Sequence, residues 1–271
     1  MASDASWRAK LGEKARLGLL CKVLQIDLSL AQRGGGGLAE VVQNALGVLA
    51  NCALEPAVQL LLVEELKVMP VMVALLTPPT EGAMGTAIVA RTIIVLSRCA
   101  KIPGAPDTLA GLGAFAKLLA RLPAHTKAAK AASEPAESED CRLVDAAGRL
   151  LVVCSMASTA TTEKIAAVKG GLKAVVGLLE VESGTCQANV SVAVSNMAKV
   201  PQTLRPFGKA GAVPTLINLA HKHELQTARQ NAGIALAALA KDEDNLAQLK
   251  ELHGIEIIHH YVKPLNMKKK A

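Results

Sequence analysis

The sequence predicts an all-α protein, a superhelical solenoid of about five helical repeats. Three observations lead to this fold class: two short phrases alternate along the chain, the spacing between them is nearly constant, and their apolar residues recur at helical intervals. A phrase that recurs every roughly 20 to 50 residues indicates stacked repeats rather than one closed domain. The composition agrees, because 51% of the residues are hydrophobic and only four are aromatic, a mixture that favours helices packed through small side chains.

The first phrase reads "NALGVLANCA" from Asn44, and its other copies begin at Arg91, Gly148, Asn189 and Asn231. The second reads "GAVPTLINLA" from Gly211, and its other copies begin at Lys67, Gly111, Gly171 and Gly254. Each second phrase starts 23, 20, 23, 22 or 23 residues after its first phrase, taken in chain order. Apolar residues in both phrases recur at three- and four-residue spacing, so each phrase predicts a helix.

The chain divides into three parts. Residues 1–37 are predicted to form an N-terminal helical cap and a glycine-rich hinge, because a helical pattern over 10–33 ends in "GGGG" at residues 34–37. This run lacks the GK[ST] ending of a phosphate-binding loop, so a hinge is favoured. Residues 38–263 are predicted to hold the repeats, and residues 264–271 a basic tail. The tail is expected either to make the chain more soluble or to contact acidic protein or anionic lipid.

One interval between repeats is longer than the others. Successive first phrases begin 47, 57, 41 and 42 residues apart, and the long interval contains residues 123–140. This segment runs from basic to acidic and lacks large apolar residues. We therefore expect an insertion loop that is disordered. Its acidic end either folds over a basic surface of the repeats or has no function.

These phrases resemble the armadillo family over roughly residues 43–263. "GAVPTLINLA" is similar to the glycine-led second helix of that family, and "VSVAVSNMA" from Val190 to its third helix. The resemblance implies a right-handed solenoid whose third helices line a concave groove. The last unit, "NAGIALAALAKDEDNLAQLKELHGIEII", resembles the armadillo portion of a cytoplasmic factor that assembles axonemal dyneins. This implies a cytoplasmic protein associated with cilia, whose client is a dynein chain or a chaperone.

In armadillo proteins an asparagine of the third helix binds the backbone of an extended peptide. The matching positions in this sequence hold Asn51, Arg98, Ser155, Asn196 and Ala238. Members of the family that bind nuclear-import signals carry a tryptophan four residues earlier. Those places hold Gly47, Ile94, Leu151, Val192 and Ile234, so an import-signal receptor is disfavoured.

Residues seven apart on a helix share a face, which groups further polar residues with these positions. The predicted protein-binding groove consists of Asn44, Asn51, Arg91, Arg98, Lys101, Ser155, Asn189, Asn196, Lys199, Asn231 and Lys241. This strip is polar and locally basic, within a chain of net charge +7, and it suits an extended acidic segment or a folded client. Two alternatives stay open: an ordinary solvated face, and an adaptor that binds its partner through its convex face or its last repeat.

No pattern in the sequence indicates catalysis. The six cysteines form no CxxC pair and no cleavable leader precedes them, which favours a reduced cytosolic setting, and Cys52 and Cys99 occupy core positions. The histidines lack ligand partners at a recognised spacing, so surface histidines are favoured over a metal site. We expect a non-enzymatic protein without cofactors or a membrane span. Binding of nucleic acid is disfavoured because aromatic residues for stacking are scarce.

Overall fold

The structure, a computed structural model, describes residues 8, 10–25, 37–78, 80–135, 137–222 and 224–268. Sixteen α-helices and no strand are present in these residues, so the predicted all-α class is confirmed. The hinge residues 34–36 and residues 269–271 of the basic tail lie outside the described part of the chain. Residue 37 opens a helix, and residues 264–268 continue the last helix.

The helices are short and follow one another closely. They are α1 (Lys14–Leu24), α2 (Gly37–Cys52), α3 (Pro56–Leu60, extended by a π-helical turn over Leu61–Glu65), α4 (Met69–Leu75), α5 (Gly82–Cys99), α6 (Ala105–Gly111), α7 (Ala114–Lys130) and α8 (Glu139–Ala157). The second half contains α9 (Thr159–Ala166), α10 (Gly171–Leu178), α11 (Gly184–Met197), α12 (Pro201–Lys209), α13 (Ala212–Lys222), α14 (Gln226–Leu239), α15 (Glu243–Glu251) and α16 (Ile255–Lys268).

The helices repeat in groups of three. Every first phrase forms a long third helix, and these five helices, α2, α5, α8, α11 and α14, pack against one another in chain order. Every second phrase forms a second helix, namely α4, α7, α10, α13 and α16. A short first helix precedes each of these. Four complete units run from α3 to α14, with α1 and α2 before them and α15 and α16 after them.

A left-handed residue marks the same turn in every unit. The chain between each first and second helix contains one residue with positive φ: Lys67, Gly113, Gly170, Gly211 and His253. At Gly211 φ is 89°, a conformation that costs glycine nothing because it has no Cβ. Lys67 and His253 adopt φ of 47° and 53° without that freedom. Glycine thus occupies this turn in three of the five units, and at Gly211 it is also the residue that opens the second phrase.

A buried polar side chain ties successive units together. Gln59, Thr203 and Asn245 each donate a hydrogen bond to the carbonyl six residues earlier, at the end of the preceding third helix. For Thr203 the distance from Oγ1 to the oxygen of Met197 is 2.7 Å. These bonds satisfy carbonyls that lack a partner inside their own helix. The junction between units is therefore fixed by hydrogen bonds as well as by apolar packing.

The structure differs from the expectation of a disordered insertion. Residues 123–130 continue α7, and α8 begins at Glu139 with Ser138 as its N-cap. Thr126 and Ala129 are buried, and His125 Nδ1 lies 2.6 Å from Asp140 Oδ1. Small side chains thus supply the buried face that composition alone did not reveal. Residue 136 lies outside the described part of this segment.

Helix α5 is long and apolar enough, by length and composition, to cross a membrane. However, 61% of it is buried in this structure, where it packs between α2 and α8. A helix that is apolar on nearly all sides is typical of the interior of a protein as well as of a membrane span. Here α5 is one of the third helices that build the core of the solenoid.

Candidate functional site

We use the term third-helix face for the solvent-facing side chains of α2, α5, α8, α11 and α14, with the residues that directly follow these helices. Of the eleven predicted groove residues, four are exposed: Asn44, Lys101, Lys199 and Lys241. Six are half-buried: Asn51, Arg91, Arg98, Asn189, Asn196 and Asn231. Only Ser155 is buried, with 6% of its surface exposed. Ten of the eleven thus reach solvent at least in part.

The prediction for Ser155 was wrong because the third copy of the first phrase was placed two residues too late. In α11, Met197 is fully buried, whereas Met156, its predicted counterpart in α8, is 67% exposed. Cys154 is fully buried and takes the place of Met197. The hydroxyl of Ser155 donates to the carbonyl of Val152 at 2.9 Å, inside its own helix. The chance likeness of "CSMA" to "SNMA" in the sequence produced the error.

The corrected register brings Arg149 onto the third-helix face. Arg149 replaces Leu151 at the position of the tryptophan in import-signal receptors, and Val153 replaces Ser155 at the position of the asparagine. Arg149 is exposed, whereas Leu151 is fully buried. Sequence analysis missed Arg149 because it depends on a two-residue shift. The pattern of buried residues in α8 is the signal that finds it.

Arg98 and Arg149 lie close enough to repel each other. The pKa of Arg98 is lowered, first by burial of its guanidinium and then by the positive charge of Arg149. The Nη1 atom of Arg98 is buried and has no hydrogen-bond partner in the described part of the chain. No described carboxylate forms an ion pair with either arginine. Arg98 and Arg149 are therefore two neighbouring cations that have no ion-pair partner in the described part of the chain.

A cavity of about 320 Å³ lies where the end of α8 meets the turn after α5 and the start of α6. Apolar side chains line it: Ile102 and Pro103 of the turn, Pro106 of α6, and Val153 and Met156 of α8. Lys101 and Asp107 also contribute to its lining. The carboxylate of Asp107 accepts hydrogen bonds from Ser158 and Thr161, which lower its pKa. The cavity is therefore apolar, with a cation and an occupied carboxylate beside it.

Arg91, in contrast, is already engaged within the chain. Its Nη1 lies 3.8 Å from Glu139 Oε2, and Glu139 Oε1 also accepts a hydrogen bond from Arg142. When the amide of Gln43 is oriented with its oxygen towards Arg91, that oxygen accepts from Nη1 at 3.0 Å. A Cβ on Gly47 would lie 3.7 Å from Arg91 Nε. Arg91 thus covers Gly47, the position in α2 that corresponds to the tryptophan of import-signal receptors.

The asparagines of α11 and α14 form bonds between neighbouring helices. Asn196 Nδ2 lies 3.5 Å from Ser155 Oγ, and Lys199 donates to Asn196 Oδ1 at 2.9 Å. Asn231 Nδ2 donates to the carbonyl of Ala188 at 3.1 Å. A peptide backbone would have to compete with these contacts. The predicted role of the asparagines in peptide binding stays a prediction.

A larger cavity, of about 970 Å³, lies away from the third-helix face, between α10, α11 and α13. Its lining includes Glu180, Glu182 and Glu224, and Glu180 forms an ion pair with Lys130 at 2.6 Å. Among the described residues, no three His, Cys, Asp or Glu side chains gather there as metal ligands, and the size of the cavity alone does not indicate chemistry. We consider the smaller cavity the better candidate because Lys101 lines it and Arg149 lies one helical turn before its lining residue Val153.

The remaining candidate groups offer little chemistry. All six cysteines are buried, and burial raises the pKa of Cys21 to about 11 and that of Cys99 and Cys154 to about 12. Such thiols are unreactive because the thiolate is the nucleophile. In the described ranges, no three His, Cys, Asp or Glu side chains come together as metal ligands. The histidine at 223 lies outside these ranges.

Known proteins resemble this chain in part of its sequence and in its fold. Tetratricopeptide repeat protein 12 of Mus musculus is 31% identical over 120 residues, which are 44% of this chain and 17% of that protein. The Homo sapiens protein of the same name is 30% identical over 117 residues, 42% of this chain and 17% of that protein. The chain thus spans less than a fifth of the length of these relatives. No protein-family model matches it.

Solved structures of engineered proteins share the fold over most of the chain. One engineered protein has a TM-score of 0.69 at 19% identity and covers 90% of this chain and 87% of its own. A designed armadillo repeat protein has a TM-score of 0.67 at 23% identity and covers 88% of both chains. Another, in complex with the peptide (KR)4, has a TM-score of 0.65 at 22% identity, again with 88% of both chains covered. The chain is therefore an armadillo-like solenoid that is similar, over less than half of its length, to tetratricopeptide repeat protein 12.

Proposed function

We propose that this protein is a non-enzymatic binding scaffold that captures an extended acidic segment of another protein on its third-helix face. The pair formed by Arg98 and Arg149 carries this proposal, because two neighbouring cations without a carboxylate partner favour binding of an anion. Lys101 and Lys199, both exposed, extend the positive charge along the same face. Stacked helices hold these groups in place, so little entropy is lost when a partner binds.

The similar designed protein supports a peptide as the ligand. That protein holds the peptide (KR)4, so an armadillo-like solenoid of this size accepts an extended chain. The peptide in that complex is basic, whereas the charged groups exposed on the third-helix face of this chain, such as Lys101, Arg149 and Lys199, are basic themselves. Complementary charge therefore favours an acidic segment here.

The similarity to tetratricopeptide repeat protein 12 suggests the cellular setting. We propose a cytoplasmic protein, associated with cilia, that takes part in the assembly of axonemal dynein arms. Its client would be a dynein chain or a chaperone bound to one. The similarity covers 44% of this chain, and the residues of the third-helix face give the proposal a site that mutagenesis can test.

Proximity labelling of the tagged protein in ciliated cells, followed by pull-down with variants, tests this function. The variant Arg98→Glu plus Lys199→Glu reverses two charges on the third-helix face. A matched control, Lys173→Glu plus Lys209→Glu, reverses two exposed charges on α10 and α12, away from that face. We expect dynein chains or chaperones to be captured by the wild type and the control, and to be lost with the first variant.

Two other results would count against the proposal. If the client still binds the first variant but does not bind the control, the binding surface lies on the first and second helices. The protein would then be an adaptor that does not use its groove. Absence of dynein chains and chaperones from the labelled proteins would remove the assembly role and leave the scaffold.

A further inference from the structure

We propose that Arg98, Arg149 and the cavity where α8 meets the turn after α5 form a two-part site for an extended peptide that carries a carboxylate side chain and a large apolar side chain two residues apart. This site rests on the proposed function and names the sequence feature that the scaffold reads. The guanidinium groups would bind the carboxylate, and the cavity would bind the apolar side chain.

The first part of the site is the arginine pair. Arg98 comes from α5 and Arg149 from the neighbouring third helix α8, so the two charges approach from different elements. A carboxylate placed between them would accept hydrogen bonds from both and would remove their mutual repulsion. Arginine suits this task because its planar fork matches the two oxygens of a carboxylate.

Nearby carboxylates of the chain itself are committed elsewhere. Glu139 contacts Arg91 and Arg142, and Asp145 accepts a hydrogen bond from the hydroxyl of Ser183 at 2.6 Å. Asp107 accepts from two hydroxyls at the far side of the cavity. Because no described carboxylate pairs with Arg98 or Arg149, we expect the anion to come from another molecule.

The second part of the site is the apolar cavity. Met156 is 67% exposed at its edge, although the corresponding place in α11 holds the charged Lys199. A large exposed apolar side chain beside an apolar cavity is typical of a binding surface, and the flexible methionine adapts to the shape of its ligand. The volume of about 320 Å³ is sufficient for a leucine, methionine or phenylalanine side chain.

The spacing of the two parts fits an extended chain. Val153, which lines the cavity, lies four residues after Arg149 on the same helix. Four residues of α-helix rise about 6 Å. In an extended peptide that runs parallel to α8, residues i and i+2 point to the same side and lie about 6.6 Å apart. A glutamate and a leucine in those two positions therefore reach the arginine pair and the cavity together.

The neighbouring groove position limits the site to this step of the solenoid. Towards the N-terminus, the matching positions hold Asn51 in α2 and Ile94 in α5, and the nearby cation Arg91 contacts Glu139 and Gln43. Towards the C-terminus, the positions of Arg98 and Arg149 hold Asn196 and Val192 in α11, which provide no charge. The combination of a free cation pair and an apolar cavity thus occurs at the step from α5 to α8.

Fluorescence anisotropy with the full chain tests the two-part site. The probe is a fluorescein-labelled peptide that repeats Glu-Gly-Leu-Ser three times. A second peptide replaces each leucine by serine, and a third replaces each glutamate by glutamine. The protein variants are Arg149→Gln and Met156→Ser, both at exposed positions, with Arg205→Gln on α12 as the control. Thermal melting of each variant confirms that it is folded.

We expect the wild type to bind the probe at least tenfold more tightly than either altered peptide, since a charge-assisted bond or a buried leucine contributes about that factor. Arg149→Gln should weaken binding of the probe about tenfold and leave the glutamine peptide unchanged. Met156→Ser should weaken the probe about threefold and leave the serine peptide unchanged. The control should bind like the wild type.

Two results overturn the inference in distinguishable ways. If the probe and the serine peptide bind equally, and Met156→Ser has no effect, the two-part site is wrong while acidic capture by the scaffold stands. If neither peptide that contains glutamate binds the wild type more tightly than the glutamine peptide does, the two-part site and the proposed acidic partner are both wrong.

Discussion

Replacement of Arg98 by methionine should make the free protein more stable and its binding weaker. The guanidinium of Arg98 is half-buried, its Nη1 has no hydrogen-bond partner in the described residues, and Arg149 repels it. Methionine keeps the apolar packing of the arginine stem and removes the buried donor. Natural proteins commonly contain residues that lower the stability of the free protein because they serve a binding site.

The expected gain in the free energy of unfolding comes from the removal of one buried donor, Arg98 Nη1. A buried donor without a partner costs about 1–3 kcal/mol, and the lower end applies because the rest of the guanidinium still reaches water. We therefore expect the free energy of unfolding of Arg98→Met to exceed that of the wild type by about 1 kcal/mol. For a chain of this length, that raises the melting temperature by roughly 2–4 °C.

Urea and thermal unfolding, followed by circular dichroism at low and high salt, measure this difference. Salt screens the repulsion between Arg98 and Arg149, so the advantage of the variant should shrink as ionic strength rises. Arg205→Met serves as the control, because Arg205 forms an exposed ion pair with Asp244 and its loss should change stability by less than about 0.5 kcal/mol.

A loss of 1 kcal/mol or more in Arg98→Met would refute this reasoning. It would mean that the guanidinium stabilises the fold through contacts of its own. Arg98 would then be a structural residue, and the case for an anion site beside Arg149 would fail.

Three further predictions concern other parts of the molecule. Asn245→Ala should lower the free energy of unfolding by about 2–3 kcal/mol, as measured by urea unfolding. The reason is that Asn245 Nδ2 donates to the carbonyls of Leu204 at 2.8 Å and Leu239 at 3.2 Å. A loss below about 0.5 kcal/mol would contradict this prediction. The variant Glu139→Gln should bind the glutamate-containing probe about two- to fivefold more tightly, because it removes the carboxylate that pairs with Arg91. Anisotropy titrations that match those of the wild type would contradict this prediction. A thiol-reactive disulfide reagent at pH 8 should label the cysteines only after unfolding. The free energy of unfolding should fall as pH rises above about 9, because the cysteine thiols of the unfolded chain ionise there. The thiols of Cys21, Cys99 and Cys154 in the folded protein, with pKa values of about 11 to 12, keep their protons. A constant free energy of unfolding from about pH 9 to 11 would show that burial does not hold these protons.

Much of the fold was predictable because each repeat carries its own local signals. Apolar residues at helical spacing mark the third helices, and a glycine such as Gly170 or Gly211 marks the turn of positive φ before the second helix in three of the five units. Stacked units contact mainly their neighbours, so a constant spacing of the phrases is sufficient to indicate the architecture. The buried polar residues Gln59, Thr203 and Asn245 escaped notice, because their identities differ from unit to unit although their partners do not.

The candidate site depended on tertiary structure to a much greater degree. Burial, which depends on the neighbouring helices, moved the register of α8 by two residues, excluded Ser155 and brought Arg149 beside Arg98. Contacts across units showed that Glu139 occupies Arg91, a pairing between residues far apart in the chain. The sequence by itself thus determined a solenoid of repeated helices with a basic face, because helical period and turn chemistry are local. Only the tertiary structure decided which cations on that face are free, because charge pairing depends on distances between side chains of different repeats.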